Sequence, residues 1–167
     1  MQLKLLSIND TAALLDFETK NKAFFEQLVP PRNVSYFTFD SLYKIVKSLI
    51  KDQQLSKCHL YLAYDKDKIV GRFNLTDIKQ YHAELGYRLC QSVTGKGLAT
   101  NLTAKLLDIA KHQHNLIQIN AHTTTDNPSS VRVLEKTGFK HLRIEPNAVI
   151  LNGKKLSFTY YKIKLKP

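Results

Sequence analysis

Tryptophan is absent from this chain of 167 residues, and cysteine, methionine, proline and glycine are scarce, at two, one, five and six residues. Two isolated cysteines, Cys58 and Cys90, cannot build a disulfide framework and lack the paired spacing of a zinc site. They predict no metal and fit a reducing compartment. Proline and glycine this sparse, in no repeat, exclude collagen-like and low-complexity chains and leave no linker, so residues 1–167 are expected to form a single domain. No apolar run approaches the roughly 20 residues of a membrane span. The opening Met1–Asp10 lacks the basic head, apolar core and small-residue cleavage site of a secretory signal. A cytoplasmic location without membrane association is therefore expected.

Acidic residues are also in short supply. Fourteen Asp and Glu against 25 Lys and Arg leave a formal charge of +11, in a chain whose 43% hydrophobic content is ordinary for a globular protein. The surplus calls for an anionic partner: a polyphosphorylated cofactor, nucleic acid or an acidic surface. Charge alone does not separate these, because it acts through steering and non-specific attraction. The positive residues are spread along the chain, with a modest concentration in Lys154, Lys155, Lys162, Lys164 and Lys166. No arginine-rich run, zinc finger or RNA-stacking signature points to nucleic acid in particular.

Hydrophobic periodicity divides the chain into alternating elements. Leu3, Leu5 and Ile8 suggest a short strand, Asn9-Asp10 a cap for a helix over Thr11–Lys20, and a second amphipathic piece runs from about Asn21 to Leu28 before Pro30-Pro31 stops it. Asp40 is a candidate cap for a helix carrying Leu42, Ile45, Val46, Leu49 and Ile50. Three strands follow, His59–Tyr64, Lys68–Leu75 and Ala83–Cys90, the first two joined by Asp65-Lys66-Asp67. Leu98, Leu102, Leu106 and Ile109 mark a helix to about His112, and Leu116–Ala121 is strand again. Asn127, Pro128 and Gly138 punctuate a further helix, as N-cap, first helical residue and left-handed terminator. Strands at Lys140–Glu145 and Phe158–Leu165, separated by an Asn152-Gly153 turn, finish the chain. The order predicts an α/β fold, a mixed sheet of about seven strands with helices on both faces.

The junction Gln91–Thr100 joins a strand to a helix through Gly95 and Gly97. Glycines there allow successive N–H groups to turn inward on an anion while the helix N-terminus adds its partial positive charge, and Lys96 supplies a full one. Taken alone, the same turn is equally a tight strand-to-helix connection.

Two motifs together resemble the GNAT superfamily of acyl-CoA-dependent N-acetyltransferases. Thr94-Gly-Lys-Gly-Leu-Ala99 meets the Q/R-x-x-G-x-G/A pyrophosphate loop, and Asn127, Ser130, Glu135, Lys136, Gly138 and Phe139 meet the N-x-x-S…E-K-x-G-F segment, over about residues 59–165. Phe17–Phe25 followed by Pro31-Arg32, with Ala83–Tyr87, is similar to the branch that acetylates N-terminal alanine or serine of ribosomal proteins. Thr94 departs from the family pattern, which carries a long donor, Gln or Arg, at that position.

The resemblance implies acetyl-CoA as cosubstrate, no metal, and splayed fourth and fifth strands with the pantetheine arm between them. It assigns cofactor contacts to Arg88, Leu89 and Cys90 on the fourth strand, to Thr94, Gly95, Lys96, Gly97, Leu98, Ala99 and Thr100 in the loop, and to Asn127. An N–H of Leu89 or Cys90 is expected to face the thioester carbonyl as an oxyanion donor. The amine needs a base: Glu84 on the fourth strand, suited to the task if buried there and otherwise a solvated or salt-bridged strand residue, or His122, an imidazole that titrates near neutrality and whose alternative is a structural role at the strand end. A glutamate that some relatives carry before Leu-Asn-Gly is Val149 here. Ser130 matches the family serine that protonates the thiolate, with helix capping as its structural alternative. Cys90 invites an acetyl-cysteine route, but direct attack in a ternary complex is usual in the superfamily.

The resemblance implies an N-acetyltransferase acting on a primary amine, with a protein N-terminus as the expected acceptor, ribosome association as an accompanying feature, and a monomer or homodimer as the assembly. Its alternatives are a small-amine acetyltransferase acting on a polyamine, amino sugar or antibiotic, and a basic ribosome- or RNA-binding module with a vestigial CoA site.

Overall fold

The computed structural model describes residues 1–165; Lys166 of the C-terminal basic group lies outside them. Seven strands form one mixed sheet: β1 (Gln2–Leu5), β2 (His59–Asp65), β3 (Lys68–Lys79), β4 (His82–Leu89), β5 (Gln118–Thr124), β6 (Lys140–Leu151) and β7 (Lys154–Lys164). Their spatial order is β1-β2-β3-β4-β5-β7-β6, antiparallel throughout except for the β4–β5 pair. Among the described residues five α-helices cover it: α1 (Thr11–Lys20), α2 (Lys22–Phe25), α3 (Phe39–Gln54), α4 (Leu98–His112) and α5 (Pro128–Lys136). No helix among the described residues is long and apolar enough to cross a membrane.

Strand alternation separates two cores. Phe73, Leu75, Leu85, Leu89, Ile119 and Ala121 pack with Leu102 and Leu106 of α4 on one face. Leu60 and Leu62 pack with Leu14 and Phe17 of α1 and Leu42 and Val46 of α3 on the other. Residues of opposite parity on β3, β4 and β5 therefore face the α1–α3 side.

The parallel β4–β5 ladder stops at Leu85 paired with Ala121, while β5 goes on pairing with β7 up to Thr124 opposite Phe158. Beyond that point the two strands separate, as the resemblance implied. Cys90 N–H donates to the Val70 carbonyl at 2.9 Å. Because amides along an antiparallel strand alternate sides, those of Leu89 and Tyr87 point the other way, into the gap.

Several boundaries differ from expectation. The second helical piece is one turn, Lys22–Phe25, and then tightens: Gln27 and Leu28 N–H bond the carbonyls three residues back as the chain approaches Pro30. Thr38, not Asp40, holds the N-cap position of α3, and Asp40 sits in its first turn, where its charge favours the helix dipole. The last two strands are longer than the sequence predicts and form one hairpin reaching the Asn152-Gly153 turn, with φ of 49° and 77° at those residues.

Candidate active site

A pocket of ≈ 810 Å³ runs through the gap from one face of the sheet to the other. Its α4 side is the glycine turn. Gly95 and Gly97 have φ of 76° and 73°, a region that side-chain-bearing residues rarely adopt, and no atom stands within 4 Å of where a Cβ would be at either. Asn101 N–H makes its helical bond to the Gly97 carbonyl at 3.1 Å. The amides of Leu98, Ala99 and Thr100 thus precede the first such bond of a 15-residue helix whose N-cap has no side-chain partner. Thr94, Gly95, Gly97, Leu98, Ala99 and Thr100 all line the pocket. Open donors at a helix N-terminus fit a pyrophosphate.

Two loop residues do less than the sequence suggests. Lys96 is not in the pocket wall; its ammonium donates to the Ser92 carbonyl at 3.0 Å. Thr94 lines the pocket, but its hydroxyl and its N–H both donate to the Gln91 carbonyl, at 2.8 and 3.2 Å. Cys90 is likewise outside the wall, its thiol 3.2 Å from the Ser92 hydroxyl and its N–H engaged by Val70. Of the two expected oxyanion donors, Leu89 alone faces the gap.

Asn127 caps α5, its Oδ1 accepting from Ser130 N–H at 3.1 Å, and Pro128 follows at the first helical position. The Ser130 hydroxyl makes no cap. It accepts from the phenol of Tyr87 on β4 at 3.3 Å. Tyr87 also stacks on Phe73 with ring centroids 5.4 Å apart, and burial raises its pKa, so the phenol keeps its proton. Sequence reading missed Tyr87, although it lies in the Ala83–Tyr87 segment that carried part of the resemblance.

On the α1–α3 side, Glu84 and His122 meet across β4 and β5, Oε2 to Nδ1 at 3.9 Å. Of the two readings of Glu84 the solvated one holds: its side chain is 37% exposed and lies outside the pocket wall. His122, 46% exposed, does line the pocket, against Phe158 and Tyr160 with centroids at 4.8 and 5.4 Å. The wall is completed by Phe24, Phe25, Leu28 and Val29 around α2 and by Val149 and Leu151 of β6. Asn152 ties these two parts together by donating to the Glu26 carbonyl at 3.4 Å. No α3 residue is in the wall, so that helix supports the acceptor side without touching it.

A buried ion cluster also went unseen in the sequence. Glu18 of α1 pairs with Arg72 of β3, which also donates to the Tyr36 hydroxyl at 3.3 Å. Burial alone would lower the Arg72 pKa, but Glu18 and Tyr36 hold it above its ordinary value. Arg72 stands directly opposite Arg88 across the β3–β4 pair. The one signal available beforehand was a charge inside the apolar run Ile69–Leu75.

The chain matches the family model described as "Acetyltransferase (GNAT) domain" over residues 2–140. It is 31% identical over 155 residues to the protein named Probable N-acetyltransferase YjcK of Bacillus subtilis (strain 168), covering 89% of this chain and 84% of that one. Among solved structures, the ribosomal-protein-S5-alanine acetyltransferase of Vibrio fischeri superposes with a TM-score of 0.93 at 20% identity, over 98% of this chain and 92% of that one. A ribosomal L7/L12 α-N-protein acetyltransferase in complex with coenzyme A gives 0.88 at 22%, over 98% and 93%. A spermidine N-acetyltransferase of Vibrio cholerae gives 0.81 at 21%, over 98% and 95%. At these identities the structural likeness speaks for the fold alone.

Proposed function

The chain belongs to the GNAT acetyltransferase family, and we propose that it transfers an acetyl group from acetyl-CoA to the α-amine of a protein or peptide N-terminus, by direct attack in a ternary complex. The observation that carries this reading is a pocket lined from both faces of the sheet, with the glycine cradle on one side and His122 on the other.

Acetyl-CoA supplies the activated acyl group; the chain's own residues do the rest. Amides of Leu98, Ala99 and Thr100 hold the pyrophosphate, and the Leu89 N–H meets the charge developing on the carbonyl oxygen. His122 takes the amine's proton directly or through one water, with Glu84 as a positioning residue behind it. Because the phenol of Tyr87 donates to the Ser130 oxygen, the hydroxyl hydrogen of Ser130 is left free for the departing sulfur.

A polyamine acceptor fits this pocket poorly, since among the described residues no Asp or Glu lines it. The test is thiol release from acetyl-CoA with a panel of N-terminal peptides, spermidine and an aminoglycoside. Acetylation at the peptide α-amine is expected; turnover of spermidine or the aminoglycoside without any peptide would overturn the acceptor assignment. Ribosome association, suggested by the +11 charge, is checked separately by co-sedimentation, which is expected to weaken steeply as salt rises.

A further inference from the structure

Three guanidinium groups converge on one carboxylate at the acceptor end of the pocket. Besides the Arg72 contact, Arg32 Nε and Arg88 Nη1 each stand 3.6 Å from the same oxygen of Glu18, whose side chain is 1% exposed. Three positive charges against one negative leave two uncompensated. At 3.6 Å neither arginine hydrogen-bonds Glu18, and Arg32 Nε is buried with no hydrogen-bond partner. Aromatic rings fix both groups: the Arg32 guanidinium lies 4.2 Å from the Tyr36 ring centroid and that of Arg88 5.3 Å from Phe25. The Arg88 pKa is pulled down, by burial first and then by Arg32, as befits a cation whose neighbourhood is short of anions.

These arginines are not the donor's phosphate site. Arg72 and Arg88 project to the α1–α3 face, where Glu18 and Tyr36 meet them, whereas the glycine cradle opens at the start of α4 on the opposite face. Arg32, Arg72 and Arg88 all line the pocket and Glu18 does not, so the side presented to an acceptor is the cationic one. Asn74 stands on the same face, two residues along β3 from Arg72 and opposite Gly86, with its Oδ1 buried and unpartnered. That oxygen can accept from an ammonium or a peptide N–H. Arg88 lies two residues beyond Gly86, about 7 Å along the strand, a span that two extended residues of an acceptor cover.

We propose that this cluster selects acceptors carrying a carboxylate or other anionic group within one or two residues of the reactive amine. The inference rests on the acceptor site assigned above, beside His122. Two sources supply the chemistry: an acidic side chain at the second or third position of a protein N-terminus, or the α-carboxylate of a free amino acid or dipeptide.

The experiment measures kcat/KM at low ionic strength for Ala-Asp-, Ala-Asn- and Ala-Lys-initiated peptides of equal length, and for alanine and dialanine beside their C-terminal amides. Wild-type protein is compared with Arg32→Gln and Arg32→Lys; Arg32 keeps 30% exposure, so both variants are expected to fold. The Asp peptide is expected to exceed the Asn peptide by about tenfold or more, with the Lys peptide lowest. Arg32→Gln brings the Asp/Asn ratio to within about twofold, and Arg32→Lys keeps part of the preference. Equal rates for all three peptides overturn the proposal and leave the N-terminal reading standing. Turnover of alanine or dialanine but not of their amides or the longer peptides keeps the anionic preference and overturns the protein acceptor. If no amine in the panel turns over, calorimetry of the three peptides with CoA bound decides: tighter binding of the Asp peptide supports the proposal, and absent or equal binding overturns it.

Discussion

The phenol of Tyr87 donates to the hydroxyl of Ser130 across 3.3 Å, joining the fourth strand to the first turn of α5 beside the gap in the sheet. In the proposed mechanism the phenol supports the Ser130 oxygen while the hydroxyl hydrogen would go to the leaving thiolate. Tyr87→Phe is expected to lower kcat about tenfold, the worth of one hydrogen bond lost from the transition state, while KM for acetyl-CoA stays within about twofold. Ser130→Ala should cost more, and the double variant no more than Ser130→Ala alone, because the two groups act as a unit. Full kcat in Tyr87→Phe, measured by single-turnover thiol release, would remove the phenol from the mechanism.

Glu84 and His122 are the two candidate bases, and their positions rank them. His122 lines the pocket; Glu84 stands behind it at 3.9 Å, beyond hydrogen-bond reach. His122→Gln is expected to lower kcat about a hundredfold, the low end of general base catalysis, whereas Glu84→Gln should retain more than about a tenth of it. The reverse ranking in steady-state rates with one peptide acceptor would make Glu84 the base.

What the sequence discloses depends on whether the cause is local. Asn127-Pro128 and Gly138 bound α5 by backbone chemistry written within a few residues, and the observed helix, Pro128–Lys136 with φ of 92° at Gly138, follows them. The glycine cradle is local in the same way. Edge strands are not: β6 runs from Lys140 to Leu151 with most residues exposed, so its far half shows no alternation to find it by. β3 continues past Leu75 through a bulge with φ of 51° at Asp77, which breaks the period. Glu18, Arg32, Arg72 and Arg88 come from α1, the loop after α2, β3 and β4, and no spacing rule joins them before the sheet is built. Strand parity gives the face on which Glu84 stands and not what covers that face, so its burial is not legible in the sequence.

Thr94 is the clearest departure from the family's pyrophosphate loop, and both of its donors are spent on the Gln91 carbonyl. Thr94→Gln restores a long donor at the pocket wall. Calorimetry with CoA is expected to show binding about fivefold tighter, the worth of one added hydrogen bond to a charged group after its ordering cost. Unchanged or weaker affinity would mean that the backbone amides alone saturate the phosphates.

His59 and His114 stack face to face, with ring centroids 3.5 Å apart and planes 11° from parallel, and the Tyr61 hydroxyl is 2.7 Å from His114 Nε2. His59 Nδ1 is buried without a partner. Burial, and then the neighbouring His114, lower the His59 pKa from 6.5 to about 4, and burial lowers that of His114 as well. Both rings therefore bind protons more readily in the unfolded chain than in the native one. The His59 contribution to stability is complete above pH 6.5 and is lost as the pH falls from there toward about 4, and that of His114 changes in the same direction. The slope is at most about 1.4 kcal/mol per pH unit for each ring. His59→Phe keeps an aromatic ring against His114 and removes one titrating group and one orphaned nitrogen. Urea unfolding at a series of pH values should show the wild type losing stability across that interval and the variant losing markedly less; parallel curves for the two proteins would place the acid sensitivity outside this pair.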